Sequence, residues 1–181
     1  MKPLSIVIFS KDRPAQLDLC LKSIYKNLES LSEQWRIYII YTSSSEDFKR
    51  GYVELSKDWS RPSLYFFPEH IHNGFKGTLE YCIKHWEDYV LFFTDDNIVY
   101  RKFEHDFNSI DAEFKSNQDL LAISFRLGQN TFVQDAHRNM MCPIPDEVIT
   151  QDSLIRKWQW KHKQMDTDFA YPFSVDVTLY P

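Results

Sequence analysis

Apolar positions along the first 126 residues follow two alternating rhythms. Leu4 to Phe9 is a short run rich in Ile and Val, the pattern of a strand buried on both faces of a parallel sheet. After Ser10 to Pro14, the residues Leu17, Cys20, Leu21, Ile24 and Leu28 recur at three and four positions and predict a helix ending near Glu29. Pro14 suits a first helical turn, and Asp12 is placed to cap it. The rhythm then repeats. Trp35 to Tyr41 is a second strand, Thr42 to Glu46 a polar turn, and Asp47 to about Lys57 a second helix. Leu64 to Phe67 is a third strand. Asn73 and Gly74 open a helix to about Trp86, with Phe75, Leu79, Cys82, Ile83 and Trp86 on one side, and Tyr89 to Phe93 is a fourth strand. Phe103 to Phe114 reads as a helix and Leu120 to Phe125 as a strand. Strands separated by helices need crossover connections, so the expected fold is α/β, Rossmann-like, with a mixed, mostly parallel sheet flanked by helices.

Beyond Arg126 the periodicity weakens. Gln129 to Asp146 reads as a long loop containing Pro143 and Pro145, and long loops in compact domains are often functional. From Asp152 comes a mixed segment with Trp158 and Trp160 in alternation, then strand and loop over Phe169 to Tyr180. With 181 residues, one domain is expected, able to bury roughly two-thirds of its unfolded surface. Residues 1–126 form a ligand-binding half. Residues 127–181 look like part of a second region, because the apolar pattern stops without a closing helix, which suggests a truncated chain.

Charge narrows the partners. The net charge of -5 comes from 26 acidic and 21 basic residues without a block of like charge, which argues against tracking nucleic-acid phosphates. Cys20, Cys82 and Cys142 match no zinc or redox spacing and read as buried reduced thiols. No stretch approaches the about 18 apolar residues of a membrane span, and Met1 to Leu4 runs directly into the first strand without a basic leader. A soluble, reducing, cytoplasmic setting is expected.

In open alternating sheets ligands sit beyond the carboxyl ends of the strands, which directs attention to Ser10 to Pro14, Thr42 to Asp47, Pro68 to Lys76 and Thr94 to Asn97. The last is the most informative: an apolar strand ends abruptly in Asp95, Asp96 and Asn97. Hard oxygen ligands at such a place can hold Mg²⁺ or Mn²⁺ while leaving positions open for phosphate oxygens. The competing explanation is a helix cap or a solvated turn, but a helix starting near Phe103 begins too far away for a good cap.

The ordered set of segments resembles the family 2 type of glycosyltransferase with the GT-A fold. Three pieces carry the resemblance: Ser5-Ile-Val-Ile-Phe-Ser-Lys-Asp-Arg-Pro14 with the helix after it, Asn73-Gly-Phe-Lys-Gly-Thr-Leu79, and Val90-Leu-Phe-Phe-Thr-Asp-Asp-Asn97. The third is similar to the family's Asp-any-Asp (DXD) motif, in which a metal bridges carboxylate and nucleotide diphosphate. The resemblance implies a metal-dependent, inverting transfer from a nucleotide-diphosphate sugar to an unknown acceptor, which could be glycan, lipid or protein. It implies Mn²⁺ or Mg²⁺ held by Asp95, Asp96 and Asn97, with Ser10, Lys11, Asp12, Arg13, Thr42, Ser43, Ser44, Lys76 and Asp95 around the nucleotide. Two departures stand out. Asn97 takes the last motif position, and Thr42 to Glu46 replaces the acidic Asp-Asp-Gly-Ser turn that contacts the base in the family.

Lys11, Arg13 and Lys76 can equally be exposed loop cations. His70 and His72 alternate along an extended segment and so share a face, although such pairs are more often surface or packing residues. The family often completes its metal shell with a later His, for which His137 and His162 are candidates. For the base that deprotonates the acceptor, Asp152, Asp166, Asp168 and Asp176 are available. Asp176 is preferred, because the segment from Tyr171 to Asp176 would half-bury it among aromatics and raise its basicity. The alternative is a non-catalytic nucleotide- or partner-binding module on a degenerate transferase fold, motivated by Asn97 and the altered turn. A nucleotidyltransferase lacks support, since no Gly-rich loop follows the first strand.

Overall fold

A computed structural model describes residues 4–28, 35–84, 89–104, 107–126 and 173–181, with the backbone alone of 147–148 and 157–158 and, within its helix, of Ile83. The elements in order are β1 (Leu4–Lys11), α1 (Pro14–Asn27), β2 (Trp35–Thr42), α2 (Glu46–Asp58), β3 (Leu64–Pro68), a 3₁₀ turn (Glu69–His72), α3 (Phe75–Lys84), β4 (Tyr89–Thr94), α4 (Phe107–Ser116), β5 (Ile123–Ser124), β6 (Glu147–Val148), β7 (Lys157–Trp158) and β8 (Thr178–Tyr180). The expected mixed, mostly parallel sheet with flanking helices is present. Six strands run in the order β3-β2-β1-β4-β8-β5, parallel from β3 to β4, with β8 antiparallel to both of its neighbours. β6 and β7 pair separately as an antiparallel ladder.

Alternation along the central strands builds two cores. Leu4, Ile6 and Ile8 of β1, Ile37 and Ile39 of β2, and Leu91 and Phe93 of β4 pack with Leu17, Leu21, Ile24, Tyr52, Phe107 and Ile110. Val7, Tyr38, Ile40 and Val90 face the other way and pack with Cys82 of α3. The helices α1, α2 and α4 therefore cover one face and α3 the other. This explains why β1 reads as an apolar run interrupted only by Ser5 between Leu4 and Phe9: both faces of that stretch are covered.

Connection order decides where a ligand can enter. The chain moves outward from β1 through α1 to β2 and through α2 to β3, then returns across the opposite face through α3 to β4, beside β1. The outgoing connections of β1 and β4 thus part company at their carboxyl ends, which opens a crevice at that topological switch point. The register keeps the strand ends level, pairing Phe9 with Thr94, Ser10 with Tyr41, and Tyr41 with Pro68.

Several boundaries differ from the sequence pattern. Asp12 does not cap α1, whose N-cap is Arg13 without a side-chain cap bond. Instead Asp12 adopts φ 57° and its Oδ1 accepts the Ser44 N–H, because a short acidic side chain tolerates the left-handed region. The α2 cap is Ser45, whose Oγ accepts from Phe48 N–H. His70 and His72 lie in a 3₁₀ turn, not an extended segment, and at three residues per turn they do not share a face. Gly77 permits this turn to lie close to α3, since a Cβ there would meet His72 O at 1.7 Å. The fourth helix starts at Phe107, later than the apolar pattern suggested, because 97–104 is tied to α1 instead: Val99 N–H donates to Ser23 Oγ and Phe103 N–H to Asn27 O. The expected strand from Leu120 shrinks to Ile123–Ser124. Cys142, Trp86, Trp160 and the loop from Gln129 to Asp146 lie outside the described residues.

Cys20 and Cys82 are fully buried free thiols, as the pattern suggested. Burial, reinforced by the negative charges of Asp95 and Asp96, pushes the Cys20 thiol up to about 12 from 9.0. The unfolded thiol ionises first, so the stability that Cys20 contributes is complete below pH 9.0 and is lost as pH rises toward about 12. Urea unfolding at stepped pH should show this alkaline decline, and Cys20→Ala should flatten it; an unchanged slope would refute the assignment.

Candidate functional site

Asp95 is the first residue beyond β4 and, at 4% exposure, the only buried carboxylate among the described residues. Its backbone N–H continues the ladder to Phe9 O, which carries the side chain under the β1 loop. There Ser10 Oγ lies 2.8 Å from Asp95 Oδ2 and 2.6 Å from the Tyr52 hydroxyl. A carboxylate oxygen accepts, so the one Ser10 proton goes to Asp95 and Tyr52 must donate to Ser10. The Tyr52 oxygen in turn accepts the Arg13 N–H at 3.1 Å. The result is a directed chain from Arg13 N–H through Tyr52 and Ser10 to Asp95. The Lys11 N–H joins at Asp95 Oδ2 at 3.3 Å. Burial pushes the Tyr52 phenol up; its bonds to Ser10 and Arg13 oppose this, and the negative charges of Asp95 and Asp12 add to it, so the donor stays protonated.

Beside this anchor the oxygen density is high. Thr94 Oγ1 stands 2.8 Å from Asp96 Oδ1, 2.9 Å from Asn97 Oδ1 and 3.2 Å from Asp176 Oδ1. One hydroxyl proton can satisfy one of these acceptors at a time. Asn97 Oδ1 also accepts the Thr94 N–H at 2.7 Å, and Asn97 N–H donates to Thr94 O, so this amide closes the turn that ends β4. The Arg13 guanidinium is 3.4 Å from both Asp95 and Asp96 and half exposed, which makes it a screened partner of modest strength. Asp176 arrives from the other end of the chain because β8 inserts beside β4, and its neighbour Val177 holds φ 47°. A β-branched residue in that region stores roughly 1–3 kcal/mol of strain, the kind found where surroundings over-determine a functional segment.

These residues line a cleft of about 690 Å³ at the carboxyl ends of the strands, within the usual range of ligand pockets. Of the residues singled out in the sequence, Ser10, Lys11, Asp12, Arg13, Thr42, Asp95, Asp96 and Asp176 line it. Ser43, Ser44 and Asn97 do not, although the Ser44 N–H braces Asp12. Lys76 points away, 89% exposed and 3.8 Å from Glu80. His72 stacks on Tyr81 with ring centroids 4.1 Å apart, a packing role. Asp176 is half-buried, as expected, while Phe173 in the segment before it is 74% exposed. The lining also includes Phe9, Ile40, Glu69, Phe75 and Thr94, which no motif marked. Tyr52 was equally silent, being a helical aromatic on an apolar stripe. His137, His162, Asp152, Asp166 and Asp168 lie outside the described residues.

No family model matches the chain. Over 190 aligned residues it is 25% identical to the bifunctional glycosyltransferase pgtA of Dictyostelium discoideum, with 98% of this chain and 24% of that protein covered. The chain thus spans about a quarter of its relative's length. Its similarity is to glycosyltransferases. Among solved structures, it matches the mannosyltransferase PcManGT from Pyrobaculum calidifontis in complex with GDP-Man and Mn²⁺, with a TM-score of 0.48 at 10% identity over 68% of this chain and 35% of that one. S. aureus TarS 1–349 gives a TM-score of 0.45 at 13% identity over 72% and 39%. Among the described residues, no helix is long and apolar enough to cross a membrane.

The hydrogen-bond chain yields a direct test. Tyr52→Phe leaves the Arg13 N–H without its acceptor and Ser10 without its donor, so it should cost about 1–3 kcal/mol in urea unfolding. A change below about 0.3 kcal/mol would show that the chain does not organise the loop.

Proposed function

We propose that the chain carries the donor site of a glycosyltransferase, which moves a sugar from a nucleoside diphosphate to an acceptor hydroxyl. The similarity to a glycosyltransferase over 98% of this chain and 24% of that protein supports the class. The observation that carries the site is the crowd of acceptor oxygens around a single Thr94 hydroxyl, at the mouth of the switch-point cleft. Such a set of hard oxygens, with more lone pairs than protons, fits Mg²⁺ or Mn²⁺. Among the described residues no group of three or more His, Cys, Asp or Glu could hold a metal ion, so a cation here would have one or two carboxylates as protein ligands and need substrate phosphates to complete its shell.

In this reading Asp96 is the principal metal ligand and Asp95 the buried anchor beside it, with its Oδ1 turned to the same side as Arg13. Asn97 is spent on the turn, so its amide supports the site by fixing Thr94. Ser10, Lys11, Asp12, Arg13 and Thr42 line the nucleotide path, and residues 1–126 make up most of the donor half. A cation held there by Asp96 and Asp95 would supply counter-charge to the departing diphosphate. Asp176, at the diphosphate end, takes the acceptor proton as the acceptor oxygen bonds to the anomeric carbon. The bond from that carbon to phosphate breaks, and the diphosphate leaves with its electron pair. A single displacement of this kind inverts the anomeric centre.

Calorimetric titration with uridine, guanosine and thymidine diphosphates should show saturable binding that strengthens with Mn²⁺. Asp96→Ala should weaken the Mn²⁺-dependent part by about tenfold or more, as expected for losing a contact to a charged group. No binding by any nucleotide under any metal would end this reading. For Asp176→Asn, transfer or donor hydrolysis should fall by about 10²-fold or more while nucleotide affinity stays within about threefold. If affinity falls instead, Asp176 belongs to the metal shell and not to proton transfer.

A further inference from the structure

The far end of the same cleft carries a second kind of chemistry. Glu69 follows β3 directly and lines the cleft together with Thr42 and Phe75. It is half-buried, and among the described residues its carboxylate has no hydrogen-bond or ion-pair partner. Its backbone is fixed twice over. Thr78 Oγ1 donates to Glu69 O at 2.7 Å, and the turn that Glu69 begins is held close against Gly77. Phe75 is 44% exposed and its ring centroid lies 5.4 Å from that of Phe9, so it offers a supported aromatic face to the cleft.

Strand order turns these facts into a position. From β4 to β3 the sheet crosses three strand spacings, about 14 Å in all. With the diphosphate at Asp95 and Asp96, the ribose bonded to it falls above β1 and β2. The edge of the base, farther along, would fall above β3, which Glu69 directly follows, and its body toward Phe75, whose ring rests on Phe9 of β1. We infer that Glu69 and Phe75 read the base and that the donor carries guanine; this rests on the proposed nucleotide-sugar site. A carboxylate only accepts, through two adjacent oxygens. Guanine presents two adjacent N–H donors, N1–H and N2–H₂, to such a pair. Uracil offers one N–H between two carbonyls, and adenine and cytosine set an acceptor nitrogen beside their amino group. Those bases would leave a carboxylate oxygen facing a lone pair, the arrangement that polar sites reject most strongly. Phe75 adds stacking, which every base accepts and which therefore gives affinity without choice.

The test is calorimetric titration of the full chain with guanosine, uridine, adenosine and cytidine diphosphates in Mn²⁺, repeated with Glu69→Gln. Guanosine diphosphate should bind at least about tenfold more tightly than the others, and Glu69→Gln should erase most of that margin while leaving uridine diphosphate within about twofold. Equal or tighter binding of another nucleotide overturns the guanine assignment but leaves the nucleotide-sugar site standing. If Glu69→Gln weakens all four nucleotides alike, the carboxylate reads the ribose diol and the inference fails. If none binds, the site itself is wrong.

Discussion

A buried carboxylate at the end of a central strand is the constraint around which the cleft is organised. Asp95 cannot stay at 4% exposure without partners, because an isolated charge removed from water costs several kcal/mol. Its partners come from the β1 loop and, through Tyr52, from α2. The same bonds that satisfy Asp95 therefore define the path of Ser10 to Arg13. Each donor in the chain has one place to send its proton, so the network has one low-energy arrangement, and a satisfied network of this kind stiffens the backbone around it. The cleft floor is rigid for an electrostatic reason.

That anchor would serve little purpose elsewhere in the sheet. It works because β4 lies next to β1 while the chain from β1 departs toward β2, so the crevice and the anchor coincide. Level strand ends then present one continuous rim, acidic at β4 and β8, aromatic at β1 where Phe75 rests on Phe9, and acidic again after β3. The two acidic ends are chemically different. Near Thr94 three acceptor oxygens crowd around a single hydroxyl proton. At Glu69 one carboxylate stands without a partner among the described residues, a setting that calls for donors.

The chain is similar to a glycosyltransferase over 98% of its length and covers 24% of that relative. Val177, at φ 47°, marks a strained backbone beside Asp176. β8 is short, yet it inserts between β4 and β5 and brings Asp176 to Thr94. Asp176 therefore lines the same cleft as residues from the first 126 positions.

The amino-acid sequence by itself determined the layered α/β plan. Apolar runs of period one and stripes of period 3.6 are local, and burial on one or two faces follows from them whatever the partner strand is. It also marked Asp95 and Asp96, because two carboxylates directly after an apolar strand are unusual at short range. Tertiary structure alone decided the rest. Tyr52 looks like any core aromatic until its hydroxyl meets Ser10, 42 residues away. Asp12 reads as a cap until the β2 turn offers the Ser44 N–H, and Lys76 reads as a phosphate ligand until α3 aims it at solvent. The Asn97 oxygen accepts the Thr94 N–H, a bond no local pattern announces, and Asp176 meets Thr94 only because β8 pairs antiparallel with β4. Hydrogen bonds between distant segments depend on which strands become neighbours, and neighbour order is a property of the packed chain that no local pattern encodes.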